Sequence, residues 1–396
     1  MNGAPVDDGA FAISGDTITD VGAFREVRRA NTGDVLDLGE RVLMPGLINA
    51  HCHLDYTCLR GSIPPAASFS AWIRSINDRK AALAPDDYLG SIAKGFAEAA
   101  SFGTTTIANL EAFPELLRSI PASPLRTWWF AEMIDVRGSV EVAEVYGGMR
   151  DAIAAMRSET DAIGLAPHAP FTASAELYRH AATVAEQHDL LLTTHLAESR
   201  DEMLMFRDGS GGMFDFMQAI GRPMDDCREG TPLSLMLRNK VLDEHWIVAH
   251  LNELTESDFE LLARAPRFQI VHCPRSHRYF GHAPFAIERL RKSGFSVSLG
   301  TDSLASNDDL SLFAEMRQLR MTHPAISARQ LFEMVTTAPA RALRQDDSLG
   351  RIAVGFKADL IALPAAMAGE ELFDELLEFD EKVPWSMLNG RVTTAA

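Results

Sequence analysis

The run Val42-Leu43-Met44-Pro45-Gly46-Leu47-Ile48-Asn49-Ala50-His51-Cys52-His53 carries a mostly apolar stretch straight into a pair of histidines. In a strand, residues two apart share a face, so His51 and His53 converge on one point while Cys52 turns away. A strand from Val42 to Ala50 would thus deliver two imidazoles to one metal ion. A lone His-x-His triplet also fits an ordinary polar or packing role, and what decides between them lies downstream.

Outward from this run, one theme repeats: a short β-rich segment, a polar residue at its end, then a helical stretch. The segments are Val42 to Ala50, Thr104 to Asn109, Arg126 to Met133, Ala162 to Ala166, Leu190 to His195, Trp246 to His250, Phe268 to His272 and Phe295 to Gly300. Between them, Tyr88 to Phe102, Val140 to Met156, Ala173 to Gln187, Ser257 to Ala263 and Ala286 to Lys292 have the spacing of crossover helices. This alternation predicts a mixed α/β fold, a (β/α)8 TIM barrel. The Gly209 to Gly212 cluster is expected to be a surface loop.

The ends read differently. Ala10 to Gly22 resembles a hairpin, and Leu349 to Leu363 with Asn389-Gly390-Arg391-Val392 supplies further strands and turns. A small composite β-sandwich domain, residues 1–43 and 349–396, is expected beside the barrel, residues 44–348. The acidic, helix-prone segment Ala365 to Glu381 carries no assigned function.

Composition bounds the function. The net charge of -18 disfavours nucleic acid and anionic membrane as partners. The N-terminus lacks the basic start and apolar stretch of a secretory signal, which points to a cytoplasmic protein. Cys52, Cys58, Cys227 and Cys273 have no zinc-ribbon or redox spacing, so packing is their expected role.

In such barrels the active site gathers where strands finish. There stand His51 and His53, then His195 with Glu198 three residues on, then His250, and finally Asp302 in Leu299-Gly300-Thr301-Asp302-Ser303. Any one of these is equally readable as a buried histidine or a capping aspartate. Together they make a metal site for zinc or iron(II).

Quoted as they stand, Pro45 to His53, Pro167-His168-Ala169-Pro170, Thr194 to Ser199, Ala249-His250, His272 to His277, Gly300 to Asn307 and the tail Gly355-Phe356-Lys357-Ala358-Asp359-Leu360 resemble the amidohydrolase superfamily. The likeness is to its mononuclear deaminase and chlorohydrolase branch: guanine, adenosylhomocysteine and aminofutalosine deaminases and triazine chlorohydrolases. It implies His51, His53, His195 and Asp302 as metal ligands and Glu198, His250 and Asp302 as the proton-handling and water-orienting groups. One divalent ion is implied, zinc first and iron(II) second. Binuclear members use a carboxylated lysine from a middle strand, and this chain has no lysine between Lys94 and Lys240. Relatives usually have a strand before Asp8, so the N-terminus is expected to be trimmed or to begin late.

The implied reaction is hydrolytic removal of an exocyclic amine from an aminopurine-like heterocycle. His168, Arg275, Ser276, His277 and Trp72 are candidate substrate contacts, with Trp72 on a lid helix around Phe69 to Ile73; a core tryptophan reads equally well. Many relatives have Asn where this chain has His277. Asn77 and Asp78 stand just beyond the lid helix, where some nucleoside-deaminating relatives place a ribose-binding carboxylate. Cyclic amide or imidazolone hydrolysis and triazine dechlorination are alternatives. A noncatalytic scaffold is the alternative of another class, although every implied ligand is present. The expected partner is a small heterocyclic substrate; dimers are common among the relatives, so a homodimer is one assembly open to the chain, whose oligomeric state the sequence does not fix.

Overall fold

The structure, a computed structural model, describes residues 5–120, 123–156 and 160–395. Met1 to Ala4 and Ala396, the outermost residues of the expected small β-domain, lie outside the described residues, as do 121–122 and 157–159 of the expected barrel.

The chain runs through β1 (Gly9–Ser14), β2 (Thr17–Ala23), β3 (Arg41–Pro45), β4 (Leu47–His53), β5 (Thr104–Glu111), β6 (Arg126–Met133), β7 (Ala162–Pro167) and β8 (Leu191–Leu196). It continues through β9 (Trp246–His250), β10 (Gln269–His272), β11 (Val297–Leu299), β12 (Asp302–Ser303), β13 (Leu360–Pro364), β14 (Trp385–Leu388) and β15 (Arg391–Ala395). Nine of these form one sheet in the order β11-β10-β9-β8-β7-β6-β5-β4-β12. Its ladders are parallel throughout. The two end strands, β11 and β12, are separated in the chain only by Gly300 and Thr301. They are thus two halves of one interrupted strand, one half bonded to β10 and the other to β4, and the sheet curls round upon itself.

Alternation along the strands sorts the core into layers. Trp128 and Phe130 of β6 pack with Ile48, Ala108, Ile247 and Val271 inside the curl. Trp129 and Ala131, one residue out of phase, pack against the surrounding helices with Phe96, Tyr178 and Trp246. Gly164 on β7 leaves room for Phe130, since a Cβ there would lie 2.2 Å from its ring. Helices Pro85–Ser101, Val142–Met156 and Ala175–His188 fall where the helical spacing places them.

The expected strand from Val42 to Ala50 is corrected: it is two strands in two sheets. β3 pairs antiparallel with β13, and the chain passes into β4 of the large sheet at Gly46. A Cβ on Gly46 would come within 2.2 Å of the Thr105 hydroxyl, so only glycine allows this crossing. The second sheet, β15-β14-β13-β3, is antiparallel. The β1–β2 hairpin joins it through an isolated bridge between Thr17 and Lys357 and through Ile18 in its apolar cluster. The Gly209 to Gly212 loop is also corrected in part, because Gly211 already opens the helix Gly211–Ala219. Among the described residues no helix is long and apolar enough to cross a membrane.

Candidate metal centre

β4 runs extended into His51 and His53 and sends Cys52 the other way, its thiol towards the Ala108 carbonyl at 3.6 Å. Four imidazoles gather at the strand ends. The ring of His51 lies 5.1 Å from His53, 5.0 Å from His195 and 5.5 Å from His250. Asp302 Oδ1 completes the group, 3.9 Å from His51 Nε2 and 3.8 Å from His53 Nε2. Donor atoms of His51, His53 and Asp302 lie within 4.8 Å of one another, as do those of His51, His195 and His250 and those of Glu198, His250 and Asp302.

These residues fit a divalent cation. The Nε2 atoms of His53 and His195 face each other at 3.3 Å, and Nδ1 and Nε2 of His51, Nδ1 of His53 and Nε2 of His250 are buried without a hydrogen-bond partner. Buried imidazole nitrogens left unmatched are costly, whereas lone pairs aimed at one point suit a cation. Burial, the largest cause, with mutual repulsion added, holds His51, His53 and His250 well below the usual imidazole range. They are therefore neutral, the form that binds metal.

The backbone beneath the centre is strained. His250 (φ 79°), Leu251 (φ 50°), Asp302 (φ 57°) and Ala197 (φ 49°) all occupy the left-handed region, which costs a non-glycine residue roughly 1–3 kcal/mol each. Side chains and carbonyls hold these turns in place. Asn49 accepts from Thr301 N–H at 3.2 Å and donates to the Thr301 hydroxyl at 2.8 Å, so β4 is stitched to the break in the eighth strand position. Ser276 donates to Asp302 Oδ2 at 2.6 Å. His195 Nδ1 lies 3.0 Å from the His168 carbonyl, leaving Nε2 turned to the centre.

Glu198 lies beside this group, Oε1 3.7 Å from His250 Nε2. Burial, reinforced by Asp302 and Glu202, pushes its carboxyl well above the usual range. Its backbone is gripped from both sides: Glu202 accepts from Ala197 N–H at 3.2 Å and from Glu198 N–H at 2.8 Å, and Asn252 donates to the Glu198 carbonyl at 3.0 Å. Sequence reasoning missed Glu202, Asn49 and Asn252. Only Glu202 left a signal, the Ser199-x-x-Glu202 spacing of a helix start.

The candidate substrate contacts divide. His168 sits at the centre, its ring 4.8 Å from that of His195 and its Nδ1 2.6 Å from the Thr172 hydroxyl. Ser276 reaches Asp302. His277 is one residue removed, bonded through Nδ1 to Asn252 Oδ1 at 3.0 Å, and burial pushes it down to about 4. Arg275 turns its guanidinium to Asp309 at 2.5 Å and Asp308 at 3.0 Å. Trp72 is buried in the helix Phe69–Lys80, stacked on Phe69 and edge-on to Phe280 at 4.9 Å. A cleft of about 630 Å³ is lined by Phe69, Arg200, Glu253, Tyr279 and His282 and by Ser199, the residue that follows Glu198.

Residues 42–383 match the amidohydrolase family. A 5-methylthioadenosine/S-adenosylhomocysteine deaminase of Halobacterium salinarum is 30% identical over 369 residues, 88% of this chain and 80% of that protein. Among solved structures, aminofutalosine deaminase of Helicobacter pylori with methylthio-coformycin superposes with a TM-score of 0.85 at 21% identity, covering 98% of this chain and 95% of that one. A zinc-bound adenosine deaminase of Xanthomonas campestris gives 0.83 at 23% identity, covering 98% and 89%. With the family pattern running through both the large sheet and the histidine cluster, the chain belongs to the amidohydrolase family.

Proposed function

We propose that this protein is a hydrolytic deaminase that replaces the exocyclic amine of an aminopurine-like heterocycle with a carbonyl and releases ammonia. The observation that carries this reading is the meeting of His51, His53, His195 and Asp302 with a buried glutamate, Glu198, beside His250. Deaminase relatives matched along nearly the whole chain support it. His51, His53, His195 and Asp302 would hold one divalent ion, zinc before iron(II). Such an ion lowers the pKa of water from near 16 towards about 7 and so supplies a nucleophile at neutral pH.

The chain's own residues supply the rest. Glu198, kept protonated by burial, donates to the ring nitrogen beside the amine-bearing carbon and makes that carbon electrophilic. His250, neutral and strained into place, orients the attacking water. Asp302, fixed through Oδ2 by Ser276, takes the remaining hydroxyl proton as the carbonyl forms and hands it to the departing amine, which leaves as ammonia, while the proton that the attacking water loses restores Glu198. One water is consumed for each ammonia released. His168 lies where it can meet the heterocycle, while Arg275 is engaged by Asp308 and Asp309 and serves the loop. We read the strands at the two ends, 1–43 and 349–396, as one β-sandwich domain beside a closed (β/α)8 barrel, in a cytoplasmic enzyme.

An ammonia-release screen over adenosine, 5'-deoxyadenosine, methylthioadenosine, adenosylhomocysteine, free aminopurines, pterins and pyrimidines tests the reading. Ammonia from a purine member is the expected result. Ring opening without ammonia, or chloride from a triazine alone, would overturn it. Glu198→Gln should keep its metal by elemental analysis and lose roughly 10²- to 10⁴-fold in turnover.

A further inference from the structure

At the opposite end of the large sheet, where the strands begin, a cleft of about 240 Å³ is lined by Arg291, Arg341 and Arg351 with Ser296, Gln330 and Thr337. Phe295 and Val297 floor it at the start of β11, so it is separated from the histidines by the length of the strands. In a chain with 55 acidic side chains against 37 lysines and arginines, cations are expected to find carboxylates. These three do not. Some arginines here do so, Arg275 with Asp309 and Arg329 with Glu370, and others, such as Arg74 and Arg228, stand over aromatic rings instead; Arg291, Arg341 and Arg351 differ in sharing one cleft while, among the described residues, no ion pair involves any of them. The cleft has one acidic lining residue, Glu333, and no pairing joins it to any of the three. Arg351 Nε is buried without a hydrogen-bond acceptor, an arrangement that proteins seldom leave uncompensated.

We propose that this cleft binds the phosphate group of a small molecule. Guanidinium groups offer paired N–H donors that match phosphate oxygens two at a time. The Ser296 hydroxyl and the Gln330 amide add neutral donors to the lining. The lining has a mechanical connection to the metal centre. Met334 accepts from Leu299 N–H at 2.9 Å, and its neighbour Val335 accepts from Ile48 N–H at 2.8 Å. The segment that forms the cleft is therefore bonded to the strand that leads to Asp302 and to the strand that carries His51 and His53. An occupied cleft steadies both.

Calorimetric titration of the full chain with inorganic phosphate and with a nucleoside monophosphate, against chloride as control, tests this. Arg351 packs on the Phe356 ring, so the exposed pair Arg291→Glu and Arg341→Glu carries the test and Arg351→Gln supplements it. Binding that weakens about tenfold for each guanidinium lost is expected, from a charge-assisted bond of about 1.5 kcal/mol. A tighter monophosphate identifies an esterified ligand, and equal affinities identify the phosphate group alone as what is read. No phosphate-dependent heat in the wild type, or equal affinity in the charge-reversed variant, would overturn the site. Ammonia release by the variants is a separate readout and bears only on the deaminase reading.

Discussion

At the scale of single residues, the protein devotes buried carboxyls to holding other groups still. Glu202 is fully buried and bonds the backbone on which Glu198 rides, and Glu315 accepts from the Arg275 N–H at 2.9 Å and from the Asn307 amide at 2.6 Å. Burial pushes Glu202 up to about 7 and Glu315 up to about 8, from the 4.5 of an ordinary glutamate. A carboxyl raised on folding stabilises the fold in its protonated form. That contribution is complete below 4.5 and is lost as pH rises through the folded values near 7 and 8. Buried neutral histidines such as His51, His53 and His250 pull the other way as pH rises to their ordinary 6.5, so the melting temperature should fall between about pH 6.5 and about pH 8, and Glu202→Gln should make that fall shallower. A wild-type profile that climbs across the window would refute this. Because one amide cannot replace both acceptor oxygens, the same variant should also lose turnover, by about tenfold, with its metal content unchanged.

At the scale of elements, the eighth strand position decides how the site is assembled. A Cβ on Gly300 would stand 2.6 Å from the His51 carbonyl oxygen and 2.8 Å from the His51 side chain. Gly300→Ala should therefore push β4 and β12 apart where His51, His53 and Asp302 meet, lowering bound metal more than it lowers thermal stability. Elemental analysis beside a melting curve checks the order of the two effects. The sequence made much of this element scale readable. Arg126–Met133 and Trp246–His250 stand where the β-rich runs predict. The histidines were legible by the same logic, since a strand end fixes where its last side chain points. Gly46 was not: a run of apolar residues looks continuous whether one sheet or two receive it. Asn49 and Asn252 were invisible too, because Asn49 acts on Thr301, far along the chain, and Asn252 acts on a main-chain carbonyl.

At the scale of the whole molecule, the two sheets are joined by a buried ion pair. Arg126, at the start of β6, donates to Asp359 at 3.0 Å, and Asp359 also accepts from Asn389 N–H at 2.8 Å. Arg126→Ala leaves that carboxylate buried without its cation, a change that typically costs about 3–5 kcal/mol. Chemical denaturation should show the loss, with the deaminase site intact at low denaturant. Chelation should act at the other end of the molecule. A cation at one hundred times its dissociation constant stabilises by about 2.7 kcal/mol, so stripping it should lower the melting temperature and abolish ammonia release, and zinc should restore both.

The passage of one run from β3 into β4 also has a meaning for the order of events on the ribosome. β3 can acquire its neighbour only when β13 has been synthesised, and β4 can acquire β12 only when Asp302 has emerged. The strand that bears the first two histidines thus waits with one edge unpaired through most of translation. Exposed edges of this kind recruit other chains, so a newborn chain is most vulnerable to aggregation before its last third arrives, and a truncation that removes β13 should be insoluble rather than merely inactive.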